Sequence, residues 1–229
     1  MAKRIIFFSL WVGFIVYAFL LAPPDQPNTL SLILDLSTGK WEEINPLIVS
    51  LFNIMGIWPL IYSGVLFADG RSQRLPVWPF AIASFGVGAF ALLPYLALRQ
   101  PNGQFPGSKT WLIWILDSRW LGGAIALGTL ALLGYGLGYG NGSDFVEQWQ
   151  TSRFIHVMSL DFCLLALLFP ALLGDDLARR GLDRRHPLWV LGWVPLLGPV
   201  AYLCCRPPLI ATPDASTQLP KTDASSPVA

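Results

Sequence analysis

Few residues of this sequence can do acid–base or binding chemistry, because apolar types fill most of it. Asp161 stands about eight residues inside RFIHVMSLDFCLLALLFP, Arg153 to Pro170, a run that otherwise has the composition of a membrane-spanning helix. A carboxylate near mid-bilayer costs about 2.5 to 3.5 kcal/mol on insertion scales, and such groups face a bundle interior and a partner. Three roles fit: hydrogen-bonded glue between two helices, an anchor for a ligand, or a step in a proton relay. His156 is the nearest second group, but five residues at about 100° each put the two side chains ~140° apart around a helix and ~7.5 Å apart along it. Arg153 and His156, three apart, share one face near the helix end and form a separate polar cluster at the membrane surface. The partner of Asp161 must then come from another helix. The polar groups available there are Asn53, Tyr62, Ser63, Ser84, Tyr95 and Tyr202, and Asn53, at comparable depth, is the first choice.

Other chemistry-bearing patterns are sparse. Glu42 and Glu43 in KWEEINP could bind a cation or assist acid–base work, yet the segment also reads as a solvated helix start with Asn45 capping and Pro46 leading. GDDLARRGLDRRH alternates acids and bases and reads as a salt-bridged, solvated turn. Cys163, Cys204 and Cys205 lie in apolar runs without the spacing of a zinc site, so they read as small apolar side chains and no metal is expected. Phosphate loops, HExxH, serine elbows and CxxC are absent from the sequence, and no cofactor is evident from it.

The elements that must position these residues are membrane spans. The chain is 54% hydrophobic and 13% charged, where a soluble domain carries roughly 25% charged residues. With 15 Lys and Arg against 14 Asp and Glu, no basic surface points to nucleic acid. A bilayer core needs about 20 apolar residues per helix. Six segments meet that test, at approximately 5–22, 46–68, 76–98, 121–139, 154–173 and 187–204, giving an all-α, polytopic integral membrane bundle whose expected surroundings are the lipid bilayer. The first is read as a retained span, since its apolar run exceeds a signal-peptide core and APPD follows it. Tryptophans such as Trp41, Trp78, Trp111, Trp114, Trp120, Trp149 and Trp189 recur where spans meet water, as an aromatic belt would.

SKTWLIWILDSRW, 108–120, reads as an interfacial helix. GYGLGYG pairs Gly134 with Gly138 and Gly136 with Gly140 for close helix packing. Gly56, Pro59, Pro94 and Pro170 predict kinked spans. Residues 207–229, rich in Pro, Ser, Thr and Ala, read as a disordered tail. Six spans divide the basic residues seven against eight between the two sides, which sets no orientation. The N-terminal pair Lys3 and Arg4 favours both termini inside.

Two resemblances add to this reading. NPLIVSLFNIMGIWPLIYSGVLFADGR through LPVWPFAIASFGVGAFALLPYLALR, with FIHVMSLDF, resembles an uncharacterised family of integral membrane proteins of cyanobacteria and plastids over most of residues 44–206. It implies a photosynthetic membrane, the thylakoid or the plasma membrane of a cyanobacterium-like cell, and no reaction. The last two spans, with Ile155, His156, Asp161, an RRG turn, RRHP and PLLGPVAYL, are more distantly similar to the plastid family implicated in neoxanthin formation from violaxanthin. That similarity makes His156 and Asp161 the matching positions, with Gly198 and Pro199 in the closing helix. Two functions follow as expectations. One is binding or modification of a long apolar lipid, such as a carotenoid or other isoprenoid, with Asp161 and His156 as candidate catalytic groups and Asp161, Asn53, His156 and Arg153 as candidate ligand contacts. The other is a non-catalytic accessory or assembly role in a photosynthetic membrane complex.

Overall fold

The computed structural model describes residues 1–212, and its regular structure is almost wholly helical. Helix α1 (Ala2–Val16) is extended by Tyr17–Leu21, whose last turn widens so that Ala22 N–H donates to the Tyr17 carbonyl at 2.8 Å. Helix α2 (Thr29–Thr38) follows and ends at Gly39, whose φ of 81° closes the turn. Helix α3 (Pro46–Asp69) starts where sequence predicts, because Asn45 Oδ1 accepts from Leu47 N–H and Pro46 takes the first helical position. It carries Pro59 without a break.

Next come α4 (Trp78–Val87), α5 (Ala89–Leu98), the short strand β1 (Phe105–Pro106), α6 (Trp111–Leu116) and α7 (Arg119–Tyr139). After α8 (Gly142–Thr151), α9 (Arg153–Leu168) and α10 (Pro170–Arg179) form one 27-residue path through Pro170. The chain closes with α11 (Leu188–Leu191), α12 (Leu197–Cys205) and β2 (Ala211–Thr212), which pairs in parallel with β1.

Four of these paths are long and apolar enough to cross a membrane: Ala2–Leu21, the helix from Pro46 to Ser72, Arg119–Tyr139 and Arg153–Arg179. The other two expected spans, 76–98 and 187–204, are not single helices. Phe80 and Tyr95 stand fifteen positions apart, which would separate them by about 22 Å in one straight helix. Their rings instead lie 5.5 Å apart. Gln73 and Gln100, before α4 and after α5, also bond to each other, with Gln100 N–H to Gln73 Oε1 at 2.7 Å. Helices α4 and α5 therefore form a hairpin that leaves and regains the same end of the bundle. The α11–α12 segment does likewise, since Gly181 before it packs on Ile210 after it.

Apolar length alone marks each expected span, and two short legs satisfy that length as well as one crossing does. This hairpin end also receives the C-terminus of α3, the start of α7 and the end of α10. The far end holds the exit of α1, α2, the start of α3 and α8. The core between them is built mainly by α3, α5, α9, α10 and α12, around Trp58, Ile61, Tyr62, Leu93, Leu165 and Phe169.

Smaller expectations also change. Gly136 and Gly140 pack against Ser50 and Leu47 of α3, whereas Gly134 and Gly138 face open space on the outside of α7. Cys163 and Cys205 are exposed on the bundle's outer face. The tail does not begin at 207: Leu209 is buried, and Thr212 Oγ1 donates to the Phe105 carbonyl at 3.0 Å. The rest of it, 213–229, lies outside the described residues.

Candidate functional site

The hairpin tip explains Asp161. Helix α4 cannot continue through Gly88, which adopts φ +50° and ψ −124°, a conformation that side chains disfavour. The chain reverses there and α5 starts at once, leaving its first amide groups without carbonyls from a preceding turn. Inside apolar surroundings an unpaired amide is costly. Ala89 N–H donates to Asp161 Oδ1 at 2.8 Å. The carboxyl thus caps the half-helix α5 from a different helix, about 12 Å along α9 from its start. Contact is so close that a Cβ on Gly88 would fall 1.8 Å from Asp161 Oδ2. Glycine is required at the tip both by the backbone angle and by the carboxyl.

Asp161 also lies at the floor of a cleft of about 500 Å³, within the roughly 300–1,000 Å³ usual for small-molecule sites. Its walls are mainly apolar, with Phe19, Phe52, Phe85, Phe90, Phe154 and Met158 among them. The hairpin tip, Ser84 to Gly88, lines its lower end. At its far-end mouth stand Asp25, Thr29 and Arg153. Asp161 is buried, Oδ1 is engaged by Ala89, and Oδ2 has no hydrogen-bond partner among the described residues. Such a group can accept a hydrogen bond when ionised and donate one when neutral.

The expected companions of Asp161 are elsewhere. Asn53 does not meet it, because Asn53 Nδ2 donates to the Val49 carbonyl of its own helix at 2.8 Å. Tyr62 donates to the Leu165 carbonyl and Ser84 to Ala81, while Tyr95 and Tyr202 reach Asp69 and Asp176. His156 lies between the Trp149 and Tyr17 rings, at centroid distances of 4.4 and 5.8 Å. Its Nδ1 is 2.9 Å from the Trp149 carbonyl, which can only accept, so Nδ1 carries a proton. Nε2 pairs with the Tyr17 hydroxyl at 2.8 Å. Both ring nitrogens are thereby used in fastening α9 to α1 and α8. Arg153 does reach the cleft mouth, with Nε donating to the Pro23 carbonyl at 3.0 Å. Asn45 caps α3 and binds Asp144 and the Asn141 carbonyl, leaving Glu42 and Glu43 exposed beside it.

A second polar cluster, unforeseen, lies at the hairpin end. The GDDLARRGLDRRH segment pairs its charges, but Asp176, Arg179 and Arg180 are buried rather than solvated. Asp69, fully buried at the end of α3, accepts from Arg99, Arg179 and the Tyr95 hydroxyl. Arg99 also binds Asp175 at 2.5 Å. Asp176 accepts from Arg180 Nε at 2.9 Å and from Tyr202, and Arg180 goes on to Asp117, which Lys109 also meets at 2.6 Å. Arg206 donates to the Gly64 and Leu116 carbonyls. Burial pushes the Asp117 carboxyl up, but Arg180, Lys109 and Arg206 outweigh it and hold the group below the usual carboxylate range. This network ties both hairpins to α3, α6 and α10. The density of opposite charges around residues 175–185 was its only sequence signal.

Comparison of the chain with protein-family models, with curated proteins and with solved structures finds no match.

Proposed function

We propose that this chain is an integral membrane protein that binds a long apolar lipid in the Asp161 cleft, with four crossings and two hairpins re-entering from one side in place of six crossings. One observation carries the reading: a mainly apolar cleft at mid-depth whose floor presents a single carboxyl with a free oxygen. Non-helical backbone at membrane depth is tolerated where protein covers it or where it lines a cavity, and the Gly88 tip meets both conditions. The ligand class is a carotenoid or other isoprenoid carrying a polar group that reaches Asp161 Oδ2. The resemblance of residues 44–206 to proteins of photosynthetic membranes supports a thylakoid or cyanobacterium-like plasma membrane location, and the more distant similarity of the last two spans to the family implicated in neoxanthin formation supports that class. Binding is favoured over modification, because His156, the expected second acid–base group, has both nitrogens occupied by Trp149 and Tyr17.

The test is a lipid and pigment inventory of protein purified in mild detergent, wild type beside Asp161→Ala and Asp161→Asn. A long apolar lipid enriched over the bulk membrane in the wild type, and depleted several-fold in Asp161→Ala, is the expected result. Bulk composition in all three samples would contradict it.

A second reading, a non-catalytic accessory protein of a photosynthetic membrane complex, has one supporting observation. Gly134 and Gly138 present open, outward space on α7, beside the exposed Leu130, Leu137 and Tyr139. A small-residue face of this kind allows close approach of a partner helix. Native-gel co-migration with a larger complex, lost in Gly134→Leu/Gly138→Leu, would favour that reading, and migration as a lone monomer would count against it.

A further inference from the structure

The two ends of the bundle differ sharply in charge once the hairpins are counted as returns. Twelve basic residues lie at the hairpin end: Lys3 and Arg4 at the chain start, Arg71 and Arg74 after α3, Arg99 and Lys109 between α5 and α6, Arg119 opening α7, Arg179, Arg180, Arg184 and Arg185 between α10 and α11, and Arg206 after α12. The far end has Lys40 and Arg153 alone among the described residues, with six acids, Asp25, Asp35, Glu42, Glu43, Asp144 and Glu147. Lys and Arg in short loops set the orientation of membrane proteins, and they mark the cytoplasmic side whether or not they are paired with acids. Twelve against two decides what seven against eight could not. The tie under a six-span count arises because the α4–α5 hairpin, taken as a crossing, moves every loop between it and the second hairpin to the wrong side.

Cleft geometry adds a direction of access. The cleft runs from the hairpin tip, Ser84 to Gly88, to a mouth beside Asp25, Thr29 and Arg153 at the far end, and so lies in the half of the bundle away from the hairpin end. At that mouth only Nε of Arg153 is engaged, by the Pro23 carbonyl, and the terminal guanidinium nitrogens have no partner among the described residues. They suit an acceptor-bearing polar end, with Asp25 and Thr29 bonded to each other alongside at 2.8 Å.

Resting on the reading of this cleft as a ligand site, we infer that the hairpin end faces the cytoplasm and that the cleft takes its lipid from the non-cytoplasmic leaflet. The acceptor-bearing end of the amphiphile sits at Arg153, and its apolar chain spans the cleft to a second polar group at Asp161 Oδ2.

Two arms test this. In the first, single cysteines replace exposed residues in a background with Cys163, Cys204 and Cys205 changed to Ser, and intact cells receive a membrane-impermeant maleimide. Glu43→Cys and Gln150→Cys are expected to label directly, while Arg74→Cys, Gln104→Cys and Arg185→Cys label only after permeabilisation. Six crossings would put Arg74 and Gln104 on opposite sides. Any of the last three reacting in intact cells, or protection of the first two, overturns the orientation. A green fluorescent protein fused to the full wild-type chain, fluorescent only in the cytoplasm, checks the same assignment without cysteine replacement.

In the second arm, proteoliposomes of each orientation, scored by the maleimide assay, receive a diazirine-bearing lysophospholipid in the outer leaflet. Several-fold more cross-linking to the Phe154–Met158 peptide is expected when the far end faces outward. Equal cross-linking in both orientations overturns the leaflet assignment and leaves the cleft as a ligand site. Absence of cross-linking in the cleft in either orientation overturns the ligand reading itself, while the maleimide pattern still judges the orientation.

Discussion

The chain places polar groups in its apolar interior in two opposite ways. At the hairpin end, Asp69, Asp117, Asp175 and Asp176 meet Arg99, Arg179, Arg180 and Arg206 in a dense network, with Tyr95 donating to Asp69 and Tyr202 to Asp176. At mid-depth, Asp161 stands alone with one backbone amide and an open cleft. Many mutually paired charges fix geometry, and each removal leaves a partner stranded. A single carboxyl that caps one amide with one oxygen keeps the other for a ligand. The network is thus assigned to architecture and Asp161 to function, although both tie hairpin α4–α5 in place, one at its base and the other at its tip.

Substitutions at the two ends of this hairpin should separate those roles. Asp69→Ala removes the buried carboxylate shared by Arg99 and Arg179, leaving them Asp175 and the Asn102 carbonyl, and is expected to cost about 3–5 kcal/mol, read as a large drop in thermal midpoint in detergent and in folded yield. Gly88→Ala combines backbone strain with a collision at Asp161 and should cost about 2–4 kcal/mol. Pairing it with Asp161→Gly should recover the collision part and leave the backbone part. Full recovery would show that the backbone angle at the tip is not constrained.

Asp161→Ala leaves the Ala89 amide unpaired and should cost about 1–3 kcal/mol, whereas Asp161→Asn retains an acceptor and should stay within about 0.5 kcal/mol of wild type. A larger loss in Asp161→Asn than in Asp161→Ala would refute the capping role. Acid should weaken the hairpin end through Asp117. Its folded carboxyl is held below an unfolded value of ~3.9, so its contribution is complete above that pH and is lost as pH falls through it. Thermal melts between pH 6 and 3 should therefore show a smaller acid-induced drop in Asp117→Asn than in wild type, the smallest of these effects.

Much of this was legible in the sequence, and the failures have physical causes. Helices α1, α3 and α7 were found to within a few residues because uninterrupted apolar runs and caps such as Asn45–Pro46 mark them. Asp161 announced itself by its cost. Its partner did not, because the partner is a backbone amide, and no residue type reveals an amide freed by chain reversal. Asn53 has the right depth but turns its amide to the Val49 carbonyl of its own helix. The reversal at Gly88 was hidden because FGVGAF sits within an apolar stretch of full-span length. The tie between basic residues on the two sides was the one sequence-level symptom of counting hairpins as crossings.

Native mass spectrometry of the purified protein tests the central claim most directly, with wild type compared to Met158→Trp, which fills the cleft beside an intact Asp161 and is checked for folding by its thermal midpoint. One long apolar lipid per wild-type chain, absent from a folded Met158→Trp, is the predicted result. The same lipid occupancy in both proteins, or no retained lipid in the wild type, would contradict the cleft as a ligand site.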